Sequence, residues 1–340
     1  MPAFFDKPIH ILGAGGIGTA LAWSLTRGGY PVILVDANPL KVTKGQKNGV
    51  TVDGFEILRI PIITFEDWTV PPESFILLCT KTYDNAAILA RLPTSAFVVP
   101  IQNGFDPELE QRDHGCEGIA SFVSECQRDC PVTRITRSGS LHIGSRRSLT
   151  DDERINLASL AAALGSARLF TVECVEDIRP YKATKLMYNA AISPLAAMAG
   201  VDNGELLSDQ LAKALFFALL LENYAILRHA RIPLARIGPF HPDTVSLILR
   251  TPGLPALMAM FFRPSLRGTY CSMAPDFLIN HGRTEIDAYT GHLIRLAGDF
   301  PCPLNRAILS LVEKVVGDGL IPQRKYLRYL ADNLPQGVLH

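Results

Sequence analysis

One stretch of this chain has the residue types and spacing that handling a phosphate-bearing ligand requires. Gly13-Ala14-Gly15-Gly16-Ile17-Gly18 follows directly on the apolar run Ile9 to Leu12, and a second apolar run, Val32 to Val35, ends in Asp36. Short apolar runs of this kind read as buried strands. Between them, Thr19 to Arg27 carries Leu21, Ala22 and Leu25 on one helical face before Gly28-Gly29 stops it. Strand, glycine turn, helix, then strand with a terminal acid is the order that binds a dinucleotide. Gly13 permits the tight turn, Gly15 lets a pyrophosphate approach the backbone, and Gly18 lets the helix pack closely on the strand. The unpaired amides and positive dipole end of the helix face the phosphates. The cofactor-binding set read here is Gly13, Gly15, Gly16, Ile17, Gly18 and Asp36. A carboxylate at position 36 accepts hydrogen bonds from the ribose hydroxyls and repels a 2′-phosphate, so NAD(H) is favoured over NADP(H). Ala37 offers no cation, and Lys41 and Lys44 read as solvated surface.

Further candidates lie at the ends of other elements. Phe75 to Thr80 is a continuous apolar run of parallel-strand type that delivers Lys81 to its carboxyl end, and Phe97 to Ile101 does the same for Asn103. Ligands of open α/β sheets bind at that edge. A lysine after a strand is otherwise a solvated residue, and an asparagine before Gly104 a turn residue. Later, Lys185 and Asn189 are four apart and project from one face of a helix among apolar neighbours. By periodicity alone, Lys185 snorkels to the surface. Glu285 and Asp287 begin a helix, where carboxylates serve the dipole, and Ser272 puts a hydroxyl in a loop.

These residues need an α/β scaffold. A chain of 340 residues is long for one core and suggests two domains. Gly49 to Thr64, around the turn Asp53-Gly54, reads as a hairpin-like excursion. Ile119 to Val123 and Ile135 to Ile143 read as further strands. Thr150 to Glu153 is a capping box opening a helix to about Leu164, and Leu169 to Val172 closes the sheet region. Beyond Glu173 the patterns are helical, at Asp177 to Ala199, Asp209 to Ala230, Pro242 to Leu249 and Thr284 to Ala297. The expected fold class is α/β: a Rossmann-type doubly wound domain over 1–172 and an all-helical domain over 173–333.

Composition narrows the partners. Lysine plus arginine and aspartate plus glutamate both number 33, with no basic block, so there is no footprint for nucleic acid or a membrane surface. A small-molecule substrate is the expectation. Met1 to Lys7 lacks the pattern of a signal peptide, and Leu215 to Leu221 is too short to span a bilayer. Seven cysteines without framework spacing suit reduced thiols in a cytoplasm. Cys126 and Cys130, the one close pair, lack the partners of a zinc site. Leu215 to Leu221 and Leu254 to Phe262 fit either core or a subunit interface, which keeps a homodimer open, core being the safer assignment.

Taken together, the glycine turn, Cys79-Thr80-Lys81-Thr82-Tyr83-Asp84, Ile101-Gln102-Asn103-Gly104, Lys185-Leu186 with Asn189, Ser272-Met273 and Arg283-Thr284-Glu285-Ile286-Asp287 resemble the ketopantoate reductase family, in the same order and with similar gaps. The resemblance implies NAD(P)-dependent reduction of a 2-oxo acid, 2-dehydropantoate to pantoate in the family's case. It implies that Lys185 is the catalytic proton donor, with Glu285 its partner carboxylate. It also implies that Asn103 lies at the nicotinamide and substrate, Lys81 lies near the cofactor, and Asn189 and Ser272 hold the substrate's polar ends. Reduction of a carbonyl builds negative charge on its oxygen, and an ammonium oriented by a carboxylate can stabilise that charge and then give up a proton. Three positions depart from the family pattern: Asp36-Ala37 where an arginine is usual, Ala183 where a tryptophan is frequent, and Thr290 where an asparagine is common. They keep open a related hydroxy-acid or opine-type dehydrogenase, and a non-enzymatic NAD(H) sensor is the reading from another class.

Overall fold

The computed structural model describes residues 7–279 and 282–335. The reading of Met1 to Lys7 therefore falls, but for Lys7, outside the described residues. The chain divides into two compact units, one running to Gln102 and resuming over Glu108–Arg179, the other made of Asn103–Pro107 and the chain from Pro180.

The first unit opens with strand β1 (Ile9–Leu12), helix α1 (Gly16–Arg27), β2 (Val32–Asp36), α2 (Pro39–Asn48), β3 (Thr51–Val52), β4 (Ile62–Thr64), β5 (Phe75–Leu78), the short α3 (Asn85–Leu89) and β6 (Phe97–Pro100). Five of these strands form a sheet of order β4-β2-β1-β5-β6, parallel throughout. The chain builds outward from β1 to one side, then crosses to β5 on the other, so the strand order reverses beside the glycine turn. Because side chains alternate along a strand, Ile9 and Ile11 enter a layer with Leu21 and Leu25 of α1, and Leu12 enters the opposite layer with Trp68, Ile76 and Leu78. His10 lies in the same strand. Burial lowers its pKa, and its Nδ1 accepts from the indole N–H of fully buried Trp68 at 2.9 Å.

After α4 (Pro107–Gln111) come β7 (Cys116–Ala120), β8 (Val123–Cys126), β9 (Val132–Arg137), β10 (Ser140–Ser145), α5 (Asp151–Ser166) and β11 (Thr171–Asp177), in two small sheets, β11-β10-β7 and β3-β9-β8. The Thr150 capping box opens α5 as its sequence dictates. Three runs behave differently from their sequence reading. Val50 and Leu58 do pair antiparallel, but Ile62–Thr64 leaves that excursion to become the edge of the main sheet. Ile119 to Val123 and Ile135 to Ile143 each divide between the two small sheets. The last strand runs on to Asp177, so the division falls at Arg179–Pro180 rather than residue 172.

The named elements of the second unit are helical: α6 (Arg179–Ala199), α7 (Asn203–Leu206), α8 (Gln210–His229), α9 (Pro242–Arg250), α10 (Leu254–Leu266), α11 (Ala274–Ile279), a π-helical turn Asp287–Gly291 continuing into α12 (His292–Ala297), α13 (Pro303–Gly317) and α14 (Lys325–Asp332). They enclose one core. Helix α8 is long and apolar enough to cross a bilayer by length and composition alone, yet Leu215, Phe216, Leu219, Leu220, Ile226 and Leu227 are buried in that core. Its Glu222 caps α13, accepting from the backbone N–H of Leu304 and Asn305 at 3.1 and 2.8 Å. Helix α10 corrects the core assignment of Leu254 to Phe262. Only Ala259 is fully buried on it, while Leu257, Met260 and Phe261 are exposed.

Candidate active site

In the first unit the site is built on the end of β1. Gly13 has φ +97°, a left-handed conformation that favours glycine. A Cβ there would stand 2.9 Å from Thr80 N, because the Cys79–Thr80 peptide leaving β5 packs on the turn. A Cβ on Gly18 would lie 1.9 Å from the Gly13 carbonyl oxygen, and one on Gly16 2.5 Å from Ser124 O of β8. At Gly15 a Cβ would meet nothing within 4 Å. Three glycines are therefore required by packing, and Gly15 leaves open space at the N-terminus of α1, where amides stand ready for an anion. Ile17 is half-buried beside them.

The peptide of Ala14 is held from both sides. Its N–H donates to Asp36 Oδ2 at 2.7 Å, and Asp36 Oδ1 accepts from Asn38 N at 2.9 Å. Its carbonyl accepts from Lys41 Nζ at 3.0 Å and from Cys126 Sγ at 3.4 Å. Asp36 thus braces the turn as well as ending the strand, and each of its oxygens keeps a lone pair for a ribose hydroxyl. Lys41 overturns its reading as solvated surface. It is buried at 8 % exposure, since α2 turns its stem inward and the ammonium finds the Ala14 carbonyl. Lys44 is exposed. Lys81 follows β5 and opens the turn Thr82–Asp84, half-buried. Gln102 ties the ends of β5 and β6 together, donating to Thr80 O at 2.8 Å and exchanging hydrogen bonds with Asn85.

In the second unit, Asn103 begins the segment Asn103–Pro107, which sits on the π-helical turn. Gly104 has φ +75°, and a Cβ there would stand 2.6 Å from the Tyr289 ring. The Phe105 N–H donates to Ala288 O at 2.9 Å. The Phe105 ring stacks on His292, centroids 4.4 Å apart, with the Lys182 ammonium 4.6 Å from its centroid. Burial, with Arg295 and Lys182 adding, pushes His292 down to about 4. Lys182 is almost fully buried. Lys185 and Asn189, further along α6, are half-buried. Glu285 is buried and Ser272 exposed. The phenol of fully buried Tyr289 joins them, 3.1 Å from Ser272 Oγ and 3.4 Å from Glu285 Oε2. Burial, reinforced by Glu285, holds the Tyr289 pKa well above its ordinary value.

The sequence reading missed Lys41, Gln102, Lys182 and Tyr289. A signal existed only for Tyr289, which lies four residues after Glu285 and so shares its helical face. The other three gain their partners from contacts distant in sequence.

Comparison with known proteins follows this geometry. The family described as ketopantoate reductase PanE/ApbA matches residues 9–146, and the one described as ketopantoate reductase PanE/ApbA C terminal matches residues 177–316. The chain belongs to the ketopantoate reductase PanE/ApbA family. It is accordingly an oxidoreductase of the class acting on a CH–OH group, working with a nicotinamide cofactor, and the open cradle at Gly15 fits a dinucleotide. Among this ketopantoate reductase family's relatives, the 2-dehydropantoate 2-reductase of Aquifex aeolicus is 24 % identical over 322 residues, covering 89 % of this chain and 95 % of that one. A solved structure of D-mandelate dehydrogenase with NADH and anilino(oxo)acetate shares the fold at a TM-score of 0.71 and 20 % identity, covering 92 % of this chain and 99 % of that one. A dimeric ketopantoate reductase from Staphylococcus aureus does so at 0.68 and 18 %, covering 92 % and 100 %.

Proposed function

We propose that this chain transfers a hydride between NAD(H) and a 2-oxo or 2-hydroxy acid, with 2-dehydropantoate to pantoate as the leading reaction. The observation that carries this reading is the gathering of Ser272 and Glu285 on one buried phenol, in a family member whose other unit holds a braced dinucleotide turn. Gly13, Gly15, Gly16, Ile17, Gly18, Asp36, Lys81 and Asn103 hold the cofactor, which when bound supplies the hydride. Lys185 holds a proton at the carbonyl oxygen and stabilises the charge that develops there, and Glu285 orients it. Asn103, Asn189 and Ser272 bind the polar ends of the acid. Asp36, with Ala37 beside it, supports NADH over NADPH.

Assay of a panel of 2-oxo acids with each cofactor tests the reading. Reduction of 2-dehydropantoate is expected, with NADH preferred, and Lys185→Ala is expected to lower kcat by about a thousandfold. Full activity in that variant would remove Lys185 from its role. A second reading, a 2-hydroxy-acid dehydrogenase with a bulkier substrate, is favoured by Ala183, a small buried residue beside the lysine's turn, and predicts turnover of aryl 2-oxo acids without 2-dehydropantoate. We also propose a homodimer. The dimeric relative and the apolar side chains exposed on α10 support it.

A further inference from the structure

Away from the groups assigned to the reaction, the second unit brings arginines from distant parts of the chain together. Helix α10 turns Ala259 inward, and Arg263 and Arg267 follow it at intervals of four, so both fall on the face that meets α7. The approach is close because position 204, in α7, is glycine. A Cβ there would stand 2.7 Å from Arg267 Cα and 3.1 Å from Arg263 O. A third arginine arrives just before α14. The Gln323 N–H donates to Met198 O near the end of α6 at 2.9 Å, which sets the next residue, Arg324, beside the same turn. The three arginines share a cleft of about 470 Å³ with Asp202, Glu205 and Asp209.

The carboxylates of that cleft are engaged. Asp202 accepts from Glu205 N through Oδ1 at 2.7 Å and from Gly268 N through Oδ2 at 3.0 Å. Asp209 Oδ1 accepts from Ala212 N at 2.8 Å. Glu205 pairs with Arg324 at 3.4 Å, both side chains more than half exposed, and such a pair is weak. The guanidiniums of Arg263 and Arg267 have no hydrogen bond or ion pair among the described residues. Cations at the end of α10 suit its dipole, which accounts for their place on the helix but not for the convergence of Arg324 or for the cleft. A second cleft of about 350 Å³ adjoins the first, sharing Glu205, Asp209 and Arg324 with it. Its other walls are largely apolar, formed by Val201, Leu206, Leu211, Ala212 and Leu327.

We propose that the two clefts together form a binding site for an organic phosphate monoester, its phosphate between Arg263, Arg267 and Arg324 and its apolar part over Leu206, Leu211 and Leu327. A guanidinium is a permanently charged, forked donor whose geometry matches phosphate oxygens. A monoester dianion offers three terminal oxygens to three such forks, whereas a diester offers two and one charge fewer. None of these side chains is among those assigned to cofactor or substrate, so the site stands independently of which 2-oxo acid the protein reduces.

Calorimetric titration with phenyl phosphate tests the site, on protein saturated with NADH so that the dinucleotide turn is already filled. Phenyl phosphate is expected to bind at least about tenfold more tightly than inorganic phosphate, which lacks the ring, and than methyl phenyl phosphate, which lacks the second charge. Arg263→Ala combined with Arg267→Ala is expected to weaken phenyl phosphate at least about tenfold and to leave the NADH dissociation constant within about twofold. Arg263→Lys with Arg267→Lys keeps the charge without the fork and is expected to recover only part of that loss. Arg324→Ala, on a different element, is the further variant and is expected to weaken phenyl phosphate severalfold even if the alanine pair fails to fold. Unchanged affinity in the alanine variants, or full recovery with lysine, overturns the proposal, the latter because net charge alone would then explain the binding. Equal affinity for inorganic phosphate or for the diester overturns it as well, as does a wild type that binds no phenyl phosphate.

Discussion

At the scale of single residues, the least expected finding is a lysine with its charge indoors. A buried ammonium is costly unless it is hydrogen-bonded, and Lys41 meets that condition at the carbonyl of Ala14, the residue between the first two glycines. With Asp36 on the N–H of the same residue, an opposite-charge pair fixes the peptide orientation on which the turn's amides depend. Lys41→Met keeps the stem and removes the donor, leaving a buried carbonyl with only the weak Cys126 thiol. The expected result is a rise of about tenfold in the NADH dissociation constant with kcat unchanged, and partial recovery in Lys41→Arg. Fluorescence titration of NADH checks it, and an unaltered constant in Lys41→Met would remove the brace.

At the scale of elements, the segment Asn103–Pro107 is held by the π-helical turn and the start of α6. A π turn re-aims backbone and side chains at one point in a helix and is frequent at functional sites. Here Ala288 O takes the Phe105 N–H, and His292 takes its ring. That seat is sensitive to acid. His292 is pushed down to about 4 by burial, Arg295 and Lys182, against the opposing pull of Asp287. The unfolded chain binds this proton near pH 6.5. Stability tied to neutral His292 is therefore complete above about 6.5 and is lost as pH falls towards 4, a difference on the order of 2–3 kcal/mol. His292→Phe retains a ring against Phe105 and abolishes the titration. Its melting temperature is expected to fall less than the wild type's between pH 7.5 and pH 5, and equal falls would exclude His292 as the source.

For the whole molecule, α10 poses a question of assembly. Its inner face meets α7 and α9, and its outer face carries Leu257, Met260 and Phe261, exposed by 57, 69 and 72 %. Together with Leu254 and Leu247 these side chains expose on the order of 500 Å² of apolar surface, the size of the largest, often functional, patch on a typical monomer. That is a substantial part of the roughly 800 Å² each partner gives to a standard interface. In the proposed homodimer, a second copy presenting the same helix would cover it by twofold symmetry. Sedimentation of the wild type is expected to give a dimer, and Met260→Glu with Phe261→Glu a monomer. A wild type that sediments as a monomer at micromolar concentration would falsify the association.

The sequence alone determined what local rules govern. Alternation, helical period, the Thr150 capping box and the spacing of Gly13, Gly15 and Gly18 dictate a dinucleotide-binding α/β unit followed by helices, because each signal acts within a few residues of itself. The ordered motifs carried the family in the same way. Tertiary structure decided whatever depends on partners far along the chain. Lys41 looked solvated until α2 brought it to Ala14. Leu254 to Phe262 fitted core or a subunit interface, core being the safer assignment, until the fold left Leu257, Met260 and Phe261 exposed. The small sheets divided runs that read as continuous, since a strand's partner is chosen by register across the chain. Tyr289, conspicuous only as an aromatic residue one turn after a glutamate, acquired its place where its hydroxyl meets Ser272 and Glu285.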